Sequence, residues 1–97
     1  MMHGYSSVVI HVLVKAVQRG IRFNVIVTEG HSGKTGHHIK EILEQSNIPT
    51  KVISNSAVGI VMSKVECIFA GCEAVLENGG IMNKVGTFTV ALCAKTF

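Results

Sequence analysis

Ninety-seven residues are about one domain's worth of chain, enough to bury a core but with little margin. The composition is 47% hydrophobic with a mean hydropathy of +0.43, yet Lys15, Arg19, Lys40, Lys51 and Lys64 interrupt every apolar run before the roughly 20 residues that a membrane helix needs. The formal charge of +3 is spread along the chain with no basic stripe for nucleic acid, so the chain reads as soluble and its apolar surplus as parallel strands covered by helices on both faces.

Taken in chain order, Val9, Val12, Leu13, Ala16 and Val17 keep helical spacing, with Ser6 or Ser7 able to cap the start and Gly20 able to end it. Residues 23–28 form a β-branched run of strand length, followed by a turn-rich stretch over 30–36 and helical spacing at Ile39, Ile42 and Leu43. Asn47 and Pro49 stop that helix. A strand over 51–54 leads into a helix with Ala57, Val58, Val61 and Met62 on one face, and 66–70 reads as the next strand. A Thr87-capped helix through Lys95 closes the order. Helices between strands imply parallel pairing through crossovers: an α/β, Rossmann-like three-layer sheet, one domain over 1–97. The opening residues His3 to Ser6 look like the end of a strand, and the last helix lacks a strand to receive it, so the sheet is expected to be incomplete, with its outer strands missing.

Cys67, Cys72 and Cys93 are odd in number, lack a C-x-x-C spacing and follow no signal peptide. They read as buried apolar residues in a reducing, cytosolic setting.

Ligands in such sheets bind at the carboxyl ends of the strands, where loops 29–36, 54–56 and 71–86 emerge. The first holds Gly33, Lys34 and Thr35, but the phosphate-cradling pattern G-x-x-x-x-G-K-[ST] needs a glycine where Thr28 stands, and the strand over 66–70 runs into Gly71 and Cys72 with no carboxylate for magnesium. The ordinary alternative is a loop capping a helix whose amides attract an anion. His31, His37 and His38 do not complete a tetrahedral metal set, and adjacent histidines point to different helix faces. His3 and Tyr5, at the strand end, are candidates to line a pocket or to be plain surface. The third loop is the richest. Glu73 with Asn83 and Lys84 suits the hydroxyls and phosphate of a small sugar phosphate, against the plainer reading of a tight turn at Asn78-Gly79-Gly80 and a solvated lysine.

Residues 71–87 read G-C-E-A-V-L-E-N-G-G-I-M-N-K-V-G-T and resemble the G-A-E-x-V-x-E-N-G-G-I-x-N-K-I-G-T signature of the alpha, beta and delta subunit family of eukaryotic translation initiation factor 2B, its alpha branch above all. His3-Gly4-Tyr5-Ser6 with Val8-Val9 looks like that family's H-A-Y-S-R-V-V segment, Val27-Thr28-Glu29 like its V-T-E strand end, and Ser56-Ala57-Val58-Gly59 like its A-A-V-G helix start. The resemblance covers essentially the whole chain and corresponds to the middle of the family's C-terminal domain.

The resemblance implies a regulatory, non-catalytic subunit of the complex that exchanges guanine nucleotide on initiation factor 2. Its partners would be the other subunits of that complex, initiation factor 2 itself and a second copy, in the cytoplasm and without a cofactor or metal. The same superfamily holds isomerases of ribose bisphosphate and methylthioribose phosphate, which use a cysteine and an aspartate for proton transfer. By resemblance those positions are Gly4 and Glu73 here: one has no side chain, and the other carries its carboxylate one methylene further out. Asn83 and Lys84 match the pair that contacts substrate phosphate, so binding of a sugar phosphate or nucleoside monophosphate without turnover is expected, with isomerase chemistry as the alternative. His31-Ser32 replaces the family's Arg-Pro, putting a titratable charge beside the ligand, and Asn55 replaces an aspartate, removing a pocket charge.

Overall fold

The computed structural model describes residues 1–30, 34–83 and 86–97. Ser6 starts the first helix as its sequence position suggests: extended at φ −143°, its hydroxyl accepts from the backbone N–H of Val9 at 3.3 Å, and α1 runs Ser7–Gln18. Gly20 closes it, adopting φ +87° as its N–H donates to the Val17 carbonyl. The β-branched run then gives β1, Val25–Thr28.

Helix α2, Lys34–Gln45, begins inside the stretch expected to be turn, and Asn47 at φ +62° ends its descent. Strand β2, Thr50–Ile53, lies parallel to β1 with Val25 opposite Thr50 and Thr28 opposite Ile53. The helix expected around Val58 and Met62 is cut short. Four residues, Val58–Val61, form α3 between 3-10 turns Asn55–Ala57 and Met62–Lys64. Gly59 and the β-branched Val58, Ile60 and Val61 disfavour a longer helix.

Two further sheet positions are held by single bridges. Met2 bridges Val27 in parallel, its N–H donating to Ile26 O at 2.8 Å while Thr28 N–H donates to Met2 O at 3.2 Å. Phe69 bridges Met2 on the other side, its N–H reaching Met1 O at 2.9 Å. The expected strand over 66–70 is therefore reduced to one bridge. Across the sheet the order is β2, β1, Met2, Phe69, which in chain order is third, second, first, fourth. This matches the first four positions of the doubly wound strand order, across the point where it reverses.

Beyond Phe69 the segment expected as a glycine-rich loop contains an antiparallel pair, β3 Ala74–Val75 and β4 Ile81–Met82, turned through Asn78–Gly80 with Gly79 at φ +87°. Helix α4 runs Thr87–Thr96, and its N-cap is Gly86 rather than Thr87, with no side chain capping the first turn. Thr87 is thus a helical residue.

Alternation along β1 splits the interior into two layers. Val25 and Val27 join Val9, Ile10 and Leu13 of α1 and Ile39 and Leu43 of α2 in one cluster. Ile26 faces the other cluster, where Ile53, Val58 and Met62 meet Val90 of α4. The three-layer Rossmann-like arrangement anticipated from the sequence is therefore present. The cysteine expectation is not met: Cys67 and Cys72 are exposed and Cys93 is half-buried against the second cluster, the first two flanking the single-bridge segment at Phe69 on the edge of the sheet.

Candidate functional site

In a doubly wound sheet the crevice lies at the carboxyl ends of the two strands where the order reverses. Here those are the segments through Met2 and Phe69. A cleft of roughly 260 Å³ opens at that place, lined by His3, Tyr5, Ser6, Ser7, Gly71, Cys72, Glu73 and Asn83. A larger, mainly apolar groove of roughly 600 Å³, bordered by Leu13, Phe23 and Phe69 among others, runs along the Met1 and Cys67 starts of the same segments and the Val25 start of β1. Because ligands in such sheets bind at the carboxyl ends of the strands, the smaller cleft is the candidate site.

Each polar wall of the cleft is built locally. Ser6 stands there because it caps α1, which also brings the positive end of a twelve-residue helix to the rim. Gly71 packs so close to Ser6 that a Cβ on it would lie 2.9 Å from the serine hydroxyl oxygen. Asn83 reaches back from beyond β4, its Nδ2 donating to Gly71 O at 2.7 Å. His3 is buried at 3% exposure, with Nδ1 2.6 Å from Thr28 Oγ1. Gly4, next to it, sits at φ +77°. Tyr5 packs its ring 5.8 Å from that of His38 on α2.

Of the residues singled out from the sequence, Glu73 and Asn83 come together in this cleft, with His3 and Tyr5, while Lys84 and His31 lie outside the described residues. Asn55 is not part of the cleft lining. Its carboxamide accepts from Gly30 N–H at 3.2 Å and donates to Gly30 O at 3.1 Å, tying the loop after β1 to the one after β2. Thr28, which stands where a phosphate loop would need glycine, is buried and engaged with His3. Ser7 and Cys72 were not anticipated as lining residues. Nothing in their local pattern marks them; only the pairing of Met2 with Phe69 brings positions 7 and 72 together.

The arrangement suits a small polar ligand. Hydroxyl, carboxamide and carboxylate groups converge on one opening, Glu73 being able to accept from sugar hydroxyls but not to hold a phosphate. Among the described residues, no three His, Cys, Asp or Glu side chains gather as metal ligands. None of the described helices is long and apolar enough to cross a membrane.

Comparison with known proteins matches residues 1–97 to the initiation factor 2 subunit family. The chain is similar to translation initiation factor eIF2B subunit alpha of Dictyostelium discoideum, 41% identical over 97 residues, covering 100% of this chain and 30% of that protein. It is also similar to ribose 1,5-bisphosphate isomerase of Archaeoglobus fulgidus, 36% identical over 95 residues, which is 98% of this chain and 30% of that enzyme. Among solved structures, the translation initiation factor eIF-2B of Pyrococcus horikoshii OT3 superposes with a TM-score of 0.94 at 30% identity, covering 98% of this chain and 34% of that one. The chain thus spans about a third of the length of these relatives. With its doubly wound order and a match over every residue, the chain belongs to the initiation factor 2 subunit family.

Proposed function

We propose that the chain serves a non-catalytic, alpha-type regulatory subunit of the initiation factor 2B guanine-nucleotide exchange complex, and that its cleft binds a sugar phosphate or nucleoside monophosphate without turning it over. The subunit acts in the cytoplasm with the other subunits of that complex and with initiation factor 2. Asn83 and Lys84 contact the phosphate, Glu73 the sugar hydroxyls, and His31 adds a titratable charge.

The observation that carries this reading is the pair of substitutions at the cleft. By resemblance, the position of the isomerase cysteine is Gly4, whose φ of +77° is one that L side chains rarely adopt. By the same resemblance, the position of the aspartate is Glu73, which is exposed on the cleft wall. Proton transfer needs groups placed to within about 0.5 Å, and neither is present in the required form. Identity to the alpha subunit supports the same direction.

Calorimetric titration with a panel of sugar phosphates and nucleoside monophosphates is the test. We expect saturable binding weakened about tenfold or more by Lys84→Ala, the scale of a hydrogen bond to a charged group. Silence across the panel, or binding indifferent to that substitution, overturns it. A second reading, an isomerase, is favoured by the 36% identity to the archaeal enzyme; conversion of ribose 1,5-bisphosphate to its ketose by the purified protein would establish it.

A further inference from the structure

The binding reading leaves one buried polar side chain of the cleft without a role. His3 is 3% exposed and Thr28, its partner at 2.6 Å, is 1% exposed, so this hydrogen bond joins the first and second strand ends in a nearly dry setting. On the other side of the ring stands Gly86. A Cβ added there would lie 2.7 Å from His3 Cε1 and 3.0 Å from Nε2, so the glycine backbone, at φ +99°, rests directly against the imidazole. Asn83, a few residues earlier, is fastened to the opposite rim by its 2.7 Å bond to Gly71 O.

Asn83 is thus fastened to the segment that follows the fourth sheet position, and Gly86 rests on the first through His3. We infer that His3 is a positioning residue of the cleft: clamped by Thr28, its ring sets where Gly86 rests, and through it the angle at which Asn83 faces the ligand. Either imidazole tautomer can make the bond, since the Thr28 hydroxyl donates to a bare Nδ1 or accepts from Nδ1–H. An isosteric residue without a hydroxyl cannot. Gly86 admits no side chain while the ring is in place. The ligand half of this inference rests on the proposed binding function, whereas the positioning half stands on the geometry alone.

The experiment follows the Asn83 side-chain amide protons by nitrogen-edited NMR on the whole 97-residue chain without ligand, assigned by the loss of that signal pair in Asn83→Asp, together with calorimetric titration of ribose 5-phosphate. Thr28→Val is expected to move the Asn83 pair toward the positions of a solvated amide, leave the amides of Ile39 and Leu43 in place, and weaken ribose 5-phosphate about fivefold or more. Thr28→Ser, which keeps the hydroxyl, is expected to retain both signals and affinity. An Asn83 pair unmoved by Thr28→Val overturns the inference. If the unaltered chain does not bind ribose 5-phosphate, the binding reading falls for this ligand, while the amide signal still decides the positioning. Should Thr28→Val fail to fold, Gly86→Ala displaces the His3 ring from the other side; a shifted His3 ring with an unmoved Asn83 amide then overturns it.

Discussion

A methyl group at position 36 has nowhere to go. Built on Gly36, it would stand 2.5 Å from the Thr28 carbonyl oxygen and 2.7 Å from Glu29 Cα, both backbone atoms that cannot rotate away. Gly36→Ala should therefore force α2 off β1 and lower stability by about 1–3 kcal/mol, read from the midpoint of urea unfolding. Asn55 makes a second case. The sequence comparison suggests a lost pocket charge, but the side chain grips Gly30 with one donor and one acceptor, and an ionised carboxylate cannot do both. Asn55→Asp places a carboxylate against the Gly30 carbonyl, and thermal unfolding should show a loss of about 1–3 kcal/mol. The identity of Asn55 was legible in the sequence. Its job was not, because Gly30 is its neighbour only through the parallel pairing of β1 with β2.

Elements were legible in proportion to how much of their stability is local. Helix α1 carries its own cap, apolar stripe and terminating glycine, and its observed bounds agree with the reading from spacing. Ser6→Ala should cost it about 1 kcal/mol, with a change in the cleft as well because the same hydroxyl lies against Gly71. At the other extreme, β3 and β4 have two residues each and leave Val75 and Ile81 exposed at 72% and 51%. A pair this short owes little to packing, and backbone amides over 74–82 should exchange with solvent far faster than those of β1. Protection comparable to β1 would show that the hairpin is held by more than its own bonds. Its sequence signal was a tight turn at Asn78-Gly79-Gly80, which the structure bears out, with Asn78 Oδ1 accepting from Gly80 N–H at 2.9 Å.

For the whole molecule, the two clusters flanking the sheet hold most of the buried apolar volume, and Leu43 is fully buried in the first. The outer face is less well covered. Ile60 on α3 is 80% exposed, and Phe88, Leu92 and Phe97 at α4 are 79%, 54% and 69% exposed. Apolar side chains left this exposed favour association where they form a patch. Sedimentation of the purified chain should show concentration-dependent self-association that Phe88→Ser with Leu92→Ser reduces; a monomer at all concentrations would argue that these side chains are tolerated in water.

By itself the sequence determined the elements whose signals are local, namely the caps, the helical stripes and the β-branched strand, and from their alternation the Rossmann-like class. Its motif over 71–87 also identified the family and pointed to Glu73 and Asn83. Tertiary structure alone decided the strand order, and with it the place where the order reverses. That decision brings Ser6, Cys72 and Asn83 to one cleft around a buried His3. Contacts between residues some seventy positions apart arise from pairing geometry, and no spacing along the chain encodes them.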